Sequence, residues 1–311
     1  MVINTGMRTD IPAFYSKWFM NRIKEGFVYV KNPYNPKIII KFSLNPQVVD
    51  CIDFCTKNPE PMLKYLDDLK YYNMLWYVTI TPYDSSIEPN VLDKDIVIES
   101  FKKLVEKLPN SFVGWRYDPI FFNKDYGLKR HIKEFEYIAK KLKGYTDTCV
   151  ISFIDLYDKV KKNAPDLIRP SEEAQVILAK EFCRIGKENN IKIYACCEKD
   201  YLSKYGVICT GCKSKEIVRK SISYDLEVPP NTKNIRVGCS CLMGNDIGAY
   251  NTCKHLCKCC YANTSKEKVI ENIKKYNENS PILCDEIKPF NKLAVANQYS
   301  YRKTSEQMSM F

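Results

Sequence analysis

Short apolar runs alternate along the chain with longer stretches in which apolar residues recur at helical spacing. This pattern predicts strands over residues 2–4, 49–54, 75–81, 112–117, 149–154 and 191–195. It predicts the main helices over residues 13–24, 95–108, 132–142 and 171–189. Strands that alternate with helices in this order are typical of a parallel sheet. The sequence therefore predicts an α/β protein whose body is a (β/α) barrel or partial barrel.

Two regions depart from this alternation. Residues 27–31 and 38–44 are predicted to form an inserted hairpin, because the connecting sequence NPYNP is rich in turn-forming residues. Beyond residue 195 cysteines become frequent, and Pro229 and Pro230 indicate a linker. We accordingly divide the chain into three parts: a barrel body at 1–225, a cysteine-rich segment at 226–285 that completes the barrel, and a polar tail at 286–311.

The 311 residues, with 45% hydrophobic content, are enough to bury a large core. No stretch approaches the roughly 18 consecutive apolar residues that cross a bilayer, and the first residues lack the apolar region of an export signal. We therefore expect a cytoplasmic protein without a membrane partner. In such a protein, an odd count of 15 cysteines indicates metal or redox use rather than disulfides.

The charge balance is basic. Lys and Arg number 48 against 37 Asp and Glu, which gives a net charge of +11 that suits a nucleic acid or another polyanion. Many of these lysines, however, lie on predicted helices such as 129–143, where a solvated helix face is the ordinary interpretation. Nucleic acid is therefore retained as an alternative partner.

The most informative stretch, residues 238–263, reads GCSCLMGNDIGAYNTCKHLCKCCYAN. Within it, Cys253, Cys257 and Cys260 have the spacing C-x3-C-x2-C, so three thiolates of one short loop can converge on one inorganic cluster. We call residues 251–263 the cysteine loop. Three thiolates leave one iron of a [4Fe-4S] cluster open for a substrate, and this spacing is typical of radical S-adenosylmethionine (SAM) enzymes. A zinc site is the alternative, with His255 or Cys259 as the fourth ligand.

Polar residues follow several of the predicted strands, and barrel enzymes gather their active sites at the carboxyl ends of strands. The candidates to bind SAM by position are Thr5, Arg8, Asp10, Thr56, Lys57, Thr79, Thr81, Arg116, Asp118 and Asp155. Arg116 ranks first, because a guanidinium can hold a carboxylate through two hydrogen bonds. Alternatively, Arg116 pairs with Asp118 and braces the strand end. Glu88 either binds a ribose hydroxyl or begins a turn.

The remaining candidates for chemistry receive structural interpretations. We expect His131 on the surface of a helix, and His255 to order the cysteine loop. Five cysteines in strand-like, helical or tail segments are expected to act as small buried hydrophobes, which is the default for a free cysteine. They are Cys51, Cys55, Cys149, Cys183 and Cys284.

The ending CKCCYAN closely resembles the CxYCYAN ending of proteins similar to spore photoproduct lyase, a radical SAM enzyme. With RTDIPAFYSKWFMNRI, FCTKNPEPML, WRYDPI and CVISFIDLY, it resembles the bacterial domain-of-unknown-function family 1848 over nearly all of residues 1–285. That family is regarded as radical-SAM-like. Its cysteines come last instead of on the first strand, which implies a circularly permuted barrel. Cys259 stands where an aromatic residue is usual, as a candidate to contact adenine or to replace a ligand.

The resemblance implies a radical SAM enzyme. A [4Fe-4S] cluster on Cys253, Cys257 and Cys260 would receive an electron from a flavodoxin- or ferredoxin-type donor and cleave SAM, generating a 5′-deoxyadenosyl radical. The resemblance indicates neither the substrate nor the catalytic residues. Two other functions stay open: a nucleic-acid repair or modification lyase of the spore photoproduct lyase type, and a non-catalytic, zinc-stabilised binding protein.

A second set of cysteines also follows the family's pattern, and the resemblance implies a second metal site. The set consists of Cys197, Cys212, Cys239 and Cys241, with Cys209 as a replacement for one member. Four thiolates suit either an auxiliary [4Fe-4S] cluster or a zinc ion. The sequence does not choose between these two metals, and plain buried or unpaired thiols are the third alternative.

Overall fold

The computed structural model describes residues 1–198, 200–228, 241–242 and 244–303. Its strands are β1 (Val2–Asn4), β2 (Phe27–Lys31), β3 (Ile38–Ser43), β4 (Cys51–Thr56), β5 (Met74–Thr79), β6 (Phe112–Ile120), β7 (Thr148–Phe153), β8 (Lys192–Ala195), β9 (Gly244–Asp246) and β10 (Lys292–Val295). Its α-helices are α1 (Ile11–Phe14), α2 (Ser16–Glu25), α3 (Lys94–Lys107), α4 (Leu128–Leu142), α5 (Asp158–Asn163), α6 (Glu172–Asn189), α7 (Lys215–Arg219) and α8 (Lys266–Ile273). Segments of 3₁₀ helix occur at Glu60–Tyr65, Asp67–Leu69 and Asp200–Tyr205.

Seven strands form one parallel sheet in the order β8-β7-β6-β5-β4-β1-β9. This confirms the α/β class, and the predicted strands are observed with ends shifted by a few residues. Strand β9 is the last of the seven in the chain, yet it pairs with β1, with Gly244 opposite Val2. The strand that precedes the cysteine loop therefore lies beside the first strand of the chain.

One face of the sheet packs against the long helices. Side chains alternate between the two faces of a strand, and Phe54, Trp76 and Trp115 point to the helical side, where they are fully buried. The rings of Phe54 and Trp76 stack with centroids 4.1 Å apart. Helices α4 and α6 join over this face through the stacked rings of Phe135 and Phe182, 3.9 Å apart. The predicted apolar stripes of these helices thus form the main core.

The opposite face of the sheet is covered by described residues that follow β8. Val2, Leu75 and Phe112 pack there against Ile217 and Val218 of α7. Further toward the carboxyl ends of the strands, the same face becomes polar and carries Asn4, Asp53, Cys55, Arg116 and Asp118. This change along the strands leaves a group of polar side chains beneath the loops that follow the sheet.

The predicted hairpin is confirmed as the antiparallel pair β2 and β3. Residues 292–295, which we expected in a polar tail, form strand β10 and pair in parallel with β3, with Leu293 opposite Ile39. The exposed edge of a two-stranded hairpin offers unpaired backbone groups, and β10 satisfies them. Farther on, the Tyr301 N–H donates to the buried Asp50 carboxylate at 2.7 Å, which anchors this segment to the body.

Two expectations about helices need correction. The helix predicted at 13–24 is divided at Tyr15 into α1 and α2. His131 is fully buried rather than on the surface, because its ring bonds the Tyr117 hydroxyl at 2.9 Å and the Phe121 carbonyl at 2.8 Å.

Within the described ranges, no helix is both long enough and apolar enough to cross a membrane.

Candidate functional site

The cysteine loop begins a few residues after β9, at the carboxyl edge of the parallel sheet, and is tied to the chain that follows β1 and β5. The Tyr15 hydroxyl donates to the Thr252 carbonyl at 2.6 Å. The Lys258 N–H donates to the Ile87 carbonyl at 2.9 Å. The loop also closes on itself, because the Asn263 amide donates to the Cys253 carbonyl at 2.9 Å. Strand-end loops distant in sequence thus define the shape of the cysteine loop.

Asp10 is the centre of this attachment. One carboxylate oxygen accepts the N–H of Ala13 at 3.0 Å, which caps helix α1, and the Thr56 hydroxyl at 2.7 Å. The other oxygen accepts the Lys57 N–H at 2.8 Å and lies 2.9 Å from Nε2 of His255. The predicted role of His255 in ordering the loop agrees with this contact, and Asp10 joins the ends of β1 and β4 to the cysteine loop.

The thiols of Cys253, Cys257 and Cys260 share a partly buried environment. Burial raises the pKa of all three thiols above the ordinary value for cysteine. The backbone N–H of Ala262 points at the Cys260 sulfur at 3.3 Å, an arrangement that favours a thiolate. In the absence of metal these groups are neutral thiols, so any metal that they bind must displace their protons.

Cys259 has a different environment from its neighbour Cys260. It is buried in an apolar cluster with Tyr83, Ile87 and Phe121. A cysteine in such surroundings behaves as a small hydrophobe. Cys259, which stands where an aromatic residue is usual, therefore packs in the apolar cluster under the loop.

A buried ion pair lies next to the loop cysteines. Nζ of Lys57 is 2.7 Å from the Glu88 carboxylate, whose other oxygen accepts the Thr81 hydroxyl at 2.9 Å. Burial disfavours the charged Lys57, but the charge of Glu88 and its hydrogen bond outweigh this effect and raise the pKa of Lys57. Both oxygens of Glu88 are therefore engaged within the protein, and Lys57 places a fixed positive charge near the cysteine loop.

Arg116 and Asp118 form the pair that we considered as the alternative to SAM binding. Nε of Arg116 lies 3.1 Å from the Asp118 carboxylate, a second guanidinium nitrogen also contacts it, and the Ser152 hydroxyl bonds its other oxygen. The guanidinium interacts electrostatically with the thiols of Cys196 and Cys212. Arg116 thus adjoins a second group of cysteines.

This second cysteine group consists of Cys196, Cys212 and Cys241. The sulfur of Cys212 lies 3.3 Å from that of Cys196 and 3.5 Å from that of Cys241, and all three sulfurs are within 4.8 Å of one another. The structure thus brings the predicted Cys212 and Cys241 together and adds Cys196, which we had not selected. The Cys197 sulfur is 4.0 Å from that of Cys196. Cys239 lies outside the described residues.

Other candidates chosen by position occupy several places around the sheet edge. Arg8 pairs with Asp246 of β9 at 2.8 Å, and the Thr5 hydroxyl donates to the Asp53 carbonyl at 3.1 Å. Thr79 is buried at the end of β5. Asp155 pairs with Arg169 at 3.3 Å. Arg8 and Thr5 thus bond residues of β9 and β4, whereas Asp10 also bonds the cysteine loop.

The sequence analysis did not select Lys213, whose charge lies in the protein interior. Nζ of Lys213 lies 2.8 Å from the Asp53 carboxylate and 3.1 Å from the Asn4 side-chain oxygen. The backbone N–H of Lys213 donates to the Cys241 sulfur at 3.3 Å. Its position directly after Cys212 was the available signal, but a lysine beside a cysteine is common and its partners are distant in the sequence.

Comparison with known proteins identifies a family for the chain. The family model described as "Domain of unknown function (DUF1848)" matches residues 2–262, which includes the whole parallel sheet and the three loop cysteines. No curated protein matches the chain. No solved structure matches it either. Because the matched region covers most of its length, the chain belongs to the DUF1848 family.

Proposed function

We propose that the protein is a radical SAM enzyme whose [4Fe-4S] cluster is held by Cys253, Cys257 and Cys260. The observation that carries the proposal is the anchoring of three spaced cysteines to the carboxyl edge of a parallel sheet by the contact between His255 and Asp10. Active sites of α/β barrels lie at that edge. Three protein ligands would leave one iron for SAM.

The loop sulfurs lack the compact arrangement that a single ion requires. A tetrahedral zinc ion with Zn–S bonds of about 2.3 Å separates its sulfurs by about 3.8 Å. Among the described residues, Cys253, Cys257 and Cys260 do not form a group with all ligand atoms within 4.8 Å of one another. In a [4Fe-4S] cluster each thiolate binds a different iron, so the sulfurs are separated by the width of the cluster.

A bound cluster would supply one electron to cleave the sulfur–carbon bond of SAM into methionine and a 5′-deoxyadenosyl radical, which would take a hydrogen atom from the substrate. Asp10 and His255 orient the loop, and Lys57 supplies positive charge beside it. Partial burial of the three cysteines limits the access of water to the ligands. The electron donor would be a flavodoxin- or ferredoxin-type protein.

The test compares adjacent cysteines. Anaerobic wild-type protein is expected to bind about four irons in the loop, as one cluster requires, and to release 5′-deoxyadenosine with SAM and dithionite. Cys260→Ala and Cys257→Ala should abolish both. Cys259→Ala, which removes a packed thiol from the same loop, should retain the iron and the product. Release of 5′-deoxyadenosine by Cys260→Ala, or a colourless wild type that holds only zinc, would contradict the proposal.

A nucleic-acid substrate is the second candidate, favoured by exposed tyrosines around the cysteine loop. Tyr157 and Tyr261 are 43% and 41% exposed, and their rings lie 6.0 Å apart. Nζ of Lys159 lies 5.2 Å from the ring of the 39% exposed Tyr250. Aromatic rings interleaved with cations are the elements that bind single-stranded nucleic acids through base stacking.

This second candidate is tested by binding single-stranded oligonucleotides at several salt concentrations. Affinity should fall steeply with salt, because phosphate contacts release counterions. Tyr261→Ala should weaken binding by roughly fivefold to a hundredfold, the range for loss of one stacked base. Tyr71→Ala is the control, since Tyr71 is 74% exposed and comes shortly before β5, whereas the cysteine loop lies at the carboxyl edge of the sheet. Equal binding by both variants would contradict a stacking role for Tyr261.

A further inference from the structure

We propose that Cys196, Cys212 and Cys241 provide three of the ligands of a single zinc ion, at a site separate from the cysteine loop. The Cys212 sulfur lies 3.3 Å from that of Cys196 and 3.5 Å from that of Cys241. These separations are close to the about 3.8 Å between sulfurs that share one tetrahedral zinc ion. In the described part of the chain, these three cysteines form the group whose metal-ligand atoms all lie within 4.8 Å of one another.

The same distances argue against the two other uses of clustered cysteines. In a disulfide the sulfurs are about 2.05 Å apart, so the 3.3 Å between Cys196 and Cys212 is a contact between unbonded atoms. In an auxiliary [4Fe-4S] cluster each thiolate would bind its own iron, and the sulfurs would be held farther apart. A single thiophilic ion fits the compact triangle, and zinc accepts three or four cysteine thiolates.

The surroundings of the triangle favour thiolates. The Lys213 N–H donates to the Cys241 sulfur at 3.3 Å. Lys213 and Arg116 also carry buried positive charges that interact electrostatically with the thiols of Cys212 and its neighbours. Buried charges need partners, and zinc together with these cations supplies them for three thiolates.

The position of the site in the fold gives the ion a structural role. Cys196 directly follows β8, Cys241 comes shortly before β9, and β8 and β9 are the two ends of the described strand order. Cys212 lies between them in the chain, and its carbonyl accepts the hydroxyl of Tyr77 in the middle of the sheet. One ion would therefore hold the segment that includes α7, on the sheet face opposite the long helices, and link it to both outer strands.

The experiment measures zinc and iron together on anaerobically prepared, full-length protein from medium that contains both metals. Wild type is expected to carry one zinc per chain, and the zinc absorption edge should report three or four sulfurs at about 2.3 Å. Cys212→Ser should lose that zinc. Cys183→Ser, which changes a half-buried cysteine on α6, should keep it.

The site is distinguished from the proposed radical SAM cluster by Cys257→Ala, which should lose iron and retain zinc. The measurement on wild type does not depend on whether Cys212→Ser folds. Absence of zinc from wild type would overturn the inference. A wild-type count of about eight irons, of which Cys212→Ser loses about four, would also overturn it, because it would indicate an auxiliary cluster. Recovery of a Cys196–Cys212 disulfide after alkylation of free thiols would also overturn it. None of these outcomes depends on release of 5′-deoxyadenosine.

Discussion

Nε2 of His255 lies 2.9 Å from the Asp10 carboxylate, although 245 residues separate them in the chain. Both side chains are buried, and the remaining Asp10 contacts reach helix α1 and the end of β4. A change at either residue therefore acts on the cysteine loop and on the sheet edge together.

The first prediction concerns this contact. His255→Ala should lower the iron content and the release of 5′-deoxyadenosine, because Asp10 loses a donor and the loop loses its attachment. A buried acceptor left without its partner costs about 1–3 kcal/mol. Lys258→Ala, a change to an exposed side chain of the same loop, is the control. Full iron content in His255→Ala would show that the loop is held by other contacts.

The second prediction compares two Lys–Glu pairs of nearly equal length. Lys57 and Glu88 are 2.7 Å apart and buried, whereas Lys17 and Glu278 are 2.6 Å apart and largely exposed. Removing one partner of a buried pair leaves an uncompensated charge, so Lys57→Met should lower the unfolding free energy by about 3–5 kcal/mol. Lys17→Met should leave it nearly unchanged, because water screens exposed pairs. Urea denaturation of the two variants measures this difference, and equal midpoints would refute the prediction.

The third prediction concerns Gly6, in the turn between β1 and Asp10. A Cβ atom at this position would lie 2.0 Å from the Cys55 carbonyl oxygen, so the ends of β1 and β4 would have to separate. Gly6→Ala is expected to cost about 1–3 kcal/mol or more, as overpacking does, and to reduce iron binding. At Gly127 an added Cβ meets nothing within 4 Å, which makes Gly127→Ala the control. Thermal unfolding of both variants measures the difference.

The fourth prediction is a pH dependence of stability that arises from His131. Burial lowers the pKa of this histidine from 6.5 to about 4. In this pH range His131 is protonated in the unfolded chain but neutral in the folded chain. The free energy of unfolding therefore decreases as pH falls from about 6.5 toward 4. The loss amounts to about 3 kcal/mol when the pKa difference is converted at 1.36 kcal/mol per unit.

His131→Gln removes this titration. The unfolding free energy of wild type relative to His131→Gln should therefore decrease as pH is lowered from 7 to 4. The contributions of carboxylates that titrate in both proteins cancel in this difference. Denaturation midpoints at pH 8 and pH 5 provide the measurement. A constant difference across this range would mean that the ring is protonated inside the fold.

The parallel sheet was predicted correctly, and the ligands proposed in the cysteine loop stay a prediction; both rest on local signals. Apolar residues at strand and helix spacing report the face that each element buries, and C-x3-C-x2-C places three thiols on one loop without any distant contact. Strand β9 was not predicted, since its residues Gly244–Asp246 have no apolar pattern and become a strand only by pairing with β1.

The contacts between distant segments were decided by the tertiary structure alone. His131 lies on a charged stretch of helix, and its burial depends on Tyr117 and the Phe121 carbonyl. Cys196 and Cys197 are equivalent in the sequence, but the backbone turns at Cys197, with a φ of +56°, and the Cys196 sulfur meets those of Cys212 and Cys241. Which of two adjacent thiols joins a site depends on the direction of the chain after β8, and no pattern along the sequence carries that direction.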